Sequence, residues 1–362
     1  MAWRPQGSEL VNIPGVTAAL GAAILFGVGT PLAKLLLGGI EPWLLAGLFY
    51  LGAGLSLTLF RLLKRSPPVG LDRSESMWFA AGILSGGVAA PVLLMFGLTA
   101  LPASDAALLL NAEGVFTVLL AWFVFRENFD RRVAVGMIAI VAGALVLAWP
   151  AAGRTALGGA LSWSLFRPTV FVIGACLLWA LDNNLTRKVS VHDAVWLAQV
   201  KGLVAGSVNL LLAMHIRIAM PDALHLAGAL VVGALSYGAS LAFFVVGLRH
   251  IGTARTSAYF SIAPFFGAAL ALLILREPLS ARLLAAGLLM AIGVWLHLSE
   301  HHAHAHVHEC LEHDHLHEHD AHHQHAHAEP VPPGTRHSHP HRHEPLVHSH
   351  AHFPDIHHRH PH

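Results

Sequence analysis

Charge is what this chain has least of. Only 12% of its 362 residues are Asp, Glu, Lys or Arg, against about 25% in an ordinary soluble domain. Cysteine is nearly absent too: Cys176 and Cys310 are the only two, too few for a disulfide framework. There is no Gly-x-x-x-x-Gly-Lys-Ser/Thr loop, so the chain carries no nucleotide hydrolase of its own. There is no His-Glu-x-x-His either, which argues against a metalloprotease. With 22 Lys and Arg against 21 Asp and Glu, no excess of positive charge speaks for a nucleic-acid partner. These absences point away from an enzyme and predict no required cofactor.

What is present is apolar sequence in long runs. Hydrophobic residues make up 55% of the chain and the mean hydropathy is +0.58. Ten runs lie near 15–37, 42–63, 77–100, 103–125, 130–149, 168–189, 193–216, 222–248, 253–275 and 280–298. A span across the hydrocarbon core of a bilayer needs about 20 such residues. Backbone polar groups there must be satisfied within the segment, so each run predicts a helix. The fold class is therefore all-α, an integral membrane protein of ten helices, with lipid as its surroundings. Pro14, Pro42, Pro102, Pro168 and Pro221 stand where helices are expected to start, and Pro91 should bend the third. The N-terminal run is too long for a signal-peptide core, and a second run follows at once.

Loop charges set the orientation. With residues 1–14 inside, inner segments hold Arg4, Arg61, Lys64, Arg65, Arg73, Arg126, Arg131, Arg132, Arg187, Lys188, Arg249 and Arg255. Outer loops hold only Arg154, Arg167, Arg217, Arg276 and Arg282. The bias predicts a cell-membrane protein with both termini cytoplasmic.

The core also reads itself twice. "FGLTALPASDAALLLNAEGVFTVLLAWFVFRENFDRR", from Phe96, aligns without a gap onto "VGLRHIGTARTSAYFSIAPFFGAALALLILREPLSAR", from Val246. Gly97 falls on Gly247, Phe116 on Phe266, Arg126-Glu127 on Arg276-Glu277 and Gly143 on Gly293. "LFGVGTPLAKLLL" lies over "LWALDNNLTRKVS", with Lys34 on Arg187. Each half holds five spans, over 15–149 and 168–298, joined by a 150–167 linker. An odd number of spans turns the second half upside down, the inverted repeat of many transporters.

Two five-helix repeats, each closing on a long apolar helix, Arg-Glu, a short loop and a glycine-bearing last helix, resemble the drug/metabolite transporter superfamily in its EamA-like branch. The motifs are "AEGVFTVLLAWFVFRENF" (112–129) and "APFFGAALALLILREPL" (263–279). Pro264 opens the second as the family pattern expects, and Gly114 replaces it in the first. Lys201 fits a basic position near the start of each half's second helix, where the first half has Phe49. The resemblance implies cytoplasmic termini and alternating-access export or exchange of a small metabolite, amino acid-like or drug-like. A homodimer stays open.

Ionisable groups inside spans are costly unless paired or hydrated. Lys34 and Arg187 sit near helix ends, where snorkelling suffices. Glu113, beside Asn111, lies mid-span; Lys201 lies about a third of the way along the seventh span, and Asp182 with Asn183 in the inner part of the sixth. They either lock helices together or line a watery chamber that holds substrate, with Glu113 also a candidate proton carrier. Tyr237 in "SYGAS" and Tyr259 can line the same chamber or merely pack.

From Ser299 the composition changes. Of 29 histidines, 24 lie beyond it. His301, His302, His304, His306, His308, His313, His315, His317 and His319 form the densest tract. Neutral imidazoles suit Zn, Ni, Co and Cu, and the Pro-rich stretch "PVPPGTRHSHPHRH" predicts disorder. Three readings follow: a metal-binding tail on a metabolite exporter, a metal transporter with the tail as buffer or sensor, or a membrane-anchored metal reservoir.

Overall fold

The computed structural model describes residues 13–125, 131–149, 163–189 and 192–298, and four tail segments within 303–351. Ten helices are long and apolar enough to cross a membrane. Spans 1 to 5 are Gly15–Leu36, Pro42–Lys64, Arg73–Ala100, Ala103–Leu120 and Arg131–Ala148. Spans 6 to 10 are Trp163–Thr186, Ala194–His215, Ala223–Leu248, Thr256–Ile274 and Ala281–Leu298. Pro42 opens span 2 as expected. Pro168 does not open span 6, because the helix begins five residues earlier at Trp163. A proline so near a helix start forfeits a single backbone bond.

Two spans change pitch and two are broken. Residues Ile83–Ala89 of span 3 and Ala234–Ala239 of span 8 are π-helical. The first lies directly before Pro91, whose missing N–H and bulky ring disfavour regular α-pitch ahead of it. Span 4 stops at Leu109 and restarts at Ala112. Span 9 stops at Phe260 and restarts at Ala263. Side chains add hydrogen bonds at both breaks: Asn111 Nδ2 donates to Leu108 O at 2.9 Å, beside the Asn111 backbone N–H at 3.1 Å, and Ser261 Oγ donates to Ala258 O at 2.8 Å.

The turn between spans 8 and 9 differs from its counterpart between spans 3 and 4. Pro102 interrupts the helix in the first half, whereas helical hydrogen bonding in the second runs through Ser240–Phe260. The chain still reverses there. The Phe244 and Phe260 rings stand 5.1 Å apart, and Gly247 faces Thr256.

Small residues form the tightest seams, as in other membrane bundles. Spans 2 and 7 cross with backbone on backbone: a Cβ on Gly54 would lie 2.5 Å from the Leu203 nitrogen, and one on Gly206 2.5 Å from the Leu51 nitrogen. Spans 5 and 10 do the same. A Cβ on Gly143 would stand 3.0 Å from Ala286 O, and one on Gly293 2.6 Å from Gly136 O. Span 1 packs on spans 8 and 9, and span 6 on spans 3 and 4.

The dry core fills one half of the bundle. Leu44, Leu45, Phe49, Met95, Leu98, Leu109 and Met290 are all at most 2% exposed. They lie toward the face that carries the turns 37–41, 101–102 and 275–280, here termed the tight face. The opposite face carries the ends Lys64, Arg73, Thr186, Ala194 and Leu298.

The tail forms a separate unit, Glu300–His362. Where sequence composition predicts disorder, four segments pair as antiparallel ladders, β1 (Ala303–His308) with β4 (Leu346–Ala351) and β2 (Glu312–His317) with β3 (His337–Arg342). Alternation of His with other residues has the period of a strand. The register sets His304 opposite His350, His306 opposite His348, His313 opposite His341, His315 opposite His339 and His317 opposite His337. His301, His302 and His319, like Arg126-Glu127, lie outside the described residues.

Replacing Gly206 with Val should force spans 2 and 7 apart. Overpacking of this kind costs about 1–3 kcal/mol, and the check is a lowered midpoint of thermal unfolding in detergent. Gly70, whose surroundings are open, should accept the same change without a shift.

Candidate functional site

A cavity of about 600 Å³ occupies the half of the bundle opposite the dry core. It runs from the helix breaks, at Leu110–Asn111 in span 4 and at Ser261 in span 9, to His297 and Leu298 at the end of span 10. That volume is typical for a small organic ligand. Of the sequence-predicted residues, Asn111, Glu113, Asp182, Asn183, Lys201 and Tyr237 all line it. Tyr259 does not, although its neighbours Ser257, Phe260 and Ser261 do.

The helix breaks explain how Glu113 comes to its position. It stands in the first turn of the second segment of span 4, Ala112–Phe125, where the positive end of the helix dipole favours an anion. Its Oε1 accepts a hydrogen bond of 2.8 Å from Asn183 Nδ2 of span 6. Next to it, Gly114 opens onto the cavity, with no atom within 4 Å of where its Cβ would be.

Lys201 and Asp182 form the second polar element. The ammonium donates to Asp182 Oδ1 at 2.8 Å and to Oδ2 at 2.7 Å, and Thr186 Oγ1 donates to Oδ1 at 2.8 Å. Asp182 is buried hard against span 3, where any side chain at Gly86 would collide with its carboxylate. The Gly86 carbonyl, inside the π-helical segment, accepts from Tyr50 Oη at 2.8 Å and Trp179 Nε1 at 2.9 Å. Span 3 therefore supports the site from behind without lining it.

Aromatic rings complete the wall. Phe26, Tyr50, Trp179, Tyr237, Phe244 and Phe260 all face the cavity. Phe26 lies 5.7 Å from Tyr237 and 5.3 Å from Phe260, and Tyr50 lies 5.5 Å from Tyr237. Sequence reasoning passed over Phe26, Tyr50, Trp179, Phe244, Phe260 and His297. The π-helical setting of Tyr237 was equally hidden. Pro91, one turn from Gly86, was the one usable signal.

Both ends of the bundle carry charged contacts. At the tight face, Glu277 accepts from the Ala103 and Ser104 amides at 2.6 and 2.9 Å, so it caps span 4. Arg282 of span 10 pairs with Asp105 and donates to Trp149 O at 2.9 Å. Lys34 does not simply reach for water: its Nζ donates to the Leu98 and Leu101 carbonyls that end span 3. At the other face Arg61 pairs with Asp193, and His192 meets Glu75 at 3.0 Å. The side chain of Arg187 lies outside the described residues.

Comparison with known proteins agrees with this architecture. The model of the EamA-like transporter family matches residues 13–149 and 167–299. An "Uncharacterized transporter" of Methanothermobacter thermautotrophicus is 28% identical over 80% of this chain and 88% of its own length. A "Probable amino-acid metabolite efflux pump" of Salmonella typhimurium is 28% identical over 77% of this chain and 93% of its own. A crystal structure with 16% identity superposes at a TM-score of 0.57 over 78% of this chain and 96% of its own, which supports the fold alone.

Removing one partner of a buried ion pair leaves an uncompensated charge, at a cost of about 3–5 kcal/mol. Asp182→Asn should therefore destabilise the bundle strongly, and Asp182→Asn combined with Lys201→Met should recover most of the loss. Thermal unfolding of the two variants in detergent checks this.

Proposed function

Because the chain belongs to the EamA-like transporter family, we propose that it is a secondary transporter that exports a small metabolite by alternating access. The supporting observation is the matched pair of broken helices, spans 4 and 9, whose interruptions both line one cavity. Helices interrupted near mid-membrane at a repeat interface are where such transporters hold cargo. The name of the Salmonella relative favours cargo of metabolite size.

The same proposal takes the two halves as inverted repeats. Packing supports it through reciprocity. The Gly54–Leu203 approach is mirrored by Gly206–Leu51, and Gly143–Ala286 by Gly293–Gly136. The Asn111–Leu108 bond is mirrored by Ser261–Ala258, 150 residues on. In this reading Glu277, Arg282–Asp105 and Lys34 hold the external face shut. The cavity then opens toward the cytoplasm, the side that the Lys and Arg bias assigns to both termini, and cargo loads from within.

We assign metal binding to the tail and not to the cavity. Its support is the count of 24 histidines and a strand register that sets histidine opposite histidine. Zn, Ni, Co and Cu all suit imidazole ligands.

Three outcomes are expected. Tags after Arg126 and after Arg276 should be reached from opposite faces, and labelling from one face sinks the inverted repeat. In a background without native cysteines, Ala103→Cys with Glu277→Cys should stop transport once cross-linked and regain it on reduction. Ending the chain after Leu298 should remove Ni binding, read by titration calorimetry, while leaving transport intact.

A further inference from the structure

The cavity also carries a statement about cargo charge, which rests on the transport reading above. Three side chains in its wall can be formally charged in the middle of the bundle: Glu113, Asp182 and Lys201. Lys201 and Asp182 neutralise one another, with both carboxylate oxygens on the one ammonium. Their side chains are only 19% and 5% exposed. Glu113 has no such partner. Among the described residues its carboxylate receives only the neutral Asn183 amide. With Glu113 ionised, the wall carries one negative charge in excess.

Hydrogen-bond donors point the same way. A cargo carboxylate needs donors, and most of the polar side chains in the wall are already turned to other partners, with the Tyr237 and Ser257 hydroxyls left over among the described residues. Asn111 donates to Leu108 O, Asn183 to Glu113, Ser261 to Ala258 O, and Tyr50 and Trp179 to Gly86 O. His297 bonds to Val133 O. The Lys201 ammonium is already doubly engaged on Asp182. A zwitterion would have to open that buried pair before its carboxylate found a cation.

The rest of the wall is mainly apolar, aliphatic and aromatic. Phe26, Tyr237 and Phe260 form a continuous surface, and such faces attract organic ammonium groups. A hydrated metal ion would find one unpaired carboxylate here. It would need several nitrogen, oxygen or sulfur ligands in a fixed geometry, and among the described residues no cluster of three His, Cys, Asp or Glu exists to hold one.

We propose that the cavity selects an organic monocation: an ammonium group, received by Glu113, on an aromatic or apolar body that carries no carboxylate. The aromatic wall receives the body, and Gly114 leaves room beside the carboxylate. Lys201–Asp182 serves as a neutral partition that the cargo leaves closed.

The test uses four probes on the purified full-length protein in detergent: phenethylamine, phenylalanine, 3-phenylpropionate and nickel chloride. They share or lack one aromatic body and differ in charge. Nickel is titrated against protein ended after Leu298, so that the tail does not report. Phenethylamine should bind at least tenfold more tightly than phenylalanine, with 3-phenylpropionate weaker still and nickel absent from the cavity. Glu113→Gln should abolish the preference for the amine over phenylalanine. Equal or tighter binding of phenylalanine by the unaltered protein overturns the proposal, whatever the variant does. So does an amine affinity that Glu113→Gln leaves unchanged. Counterflow of labelled phenethylamine in proteoliposomes separates the two readings. Glu113-dependent binding without counterflow upholds the ligand class and sinks the transport function, whereas counterflow of phenylalanine in preference to phenethylamine does the reverse.

Discussion

Everything in this bundle follows from the need to satisfy backbone polar groups where no water is at hand. A carbonyl left alone in hydrocarbon costs several kcal/mol, so three of the four departures from the α-helix have side chains bonded to their carbonyls. The break in span 4 is answered by Asn111, that in span 9 by Ser261, and the π-helical stretch of span 3 by Tyr50 and Trp179. Polar side chains are therefore spent first on the backbone and only the remainder on the cavity.

The same requirement separates the molecule into a dry half and a half that holds the cavity. Toward the tight face, leucines, alanines and methionines interlock, and charged groups appear as caps of helix ends, Glu277 on the start of span 4 and Lys34 on the end of span 3, and as the Arg282–Asp105 pair. Away from it the helices part around Glu113 and the Lys201–Asp182 pair. A carboxylate at the start of a helix segment and an ion pair braced against glycine are both arrangements that hydrocarbon tolerates.

Much of this was legible in the sequence, for identifiable reasons. The ten spans follow from run length. Glu113, Asn111, Asp182, Asn183 and Lys201 stood out because polar residues in apolar runs are expensive, and all five line the cavity. The aromatic wall was illegible, since Phe26, Trp179 and Phe260 look like any lipid-facing aromatic until the helices are assembled. Tyr259 misled because a hydroxyl near a predicted chamber was read without its angular position: Ser257, Phe260 and Ser261 face the cavity and Tyr259 does not. The π-helical segments escaped because hydrophobic periodicity does not register a single inserted residue. In the tail, composition pointed to disorder, while the two-residue alternation of histidine accommodates paired strands.

The glycine seams bear on how such a molecule could move. Spans 2 and 7, and likewise 5 and 10, touch backbone to backbone at two separated points each. Helices gripped this closely at two points cannot slide or roll past one another without steric collision. Any large displacement is thereby confined to spans 1, 3, 4, 6, 8 and 9, the group that contains both breaks and both π-helical stretches. The four seam helices act as a pair of fixed axles, and the irregular helices are the parts left free to swing about them.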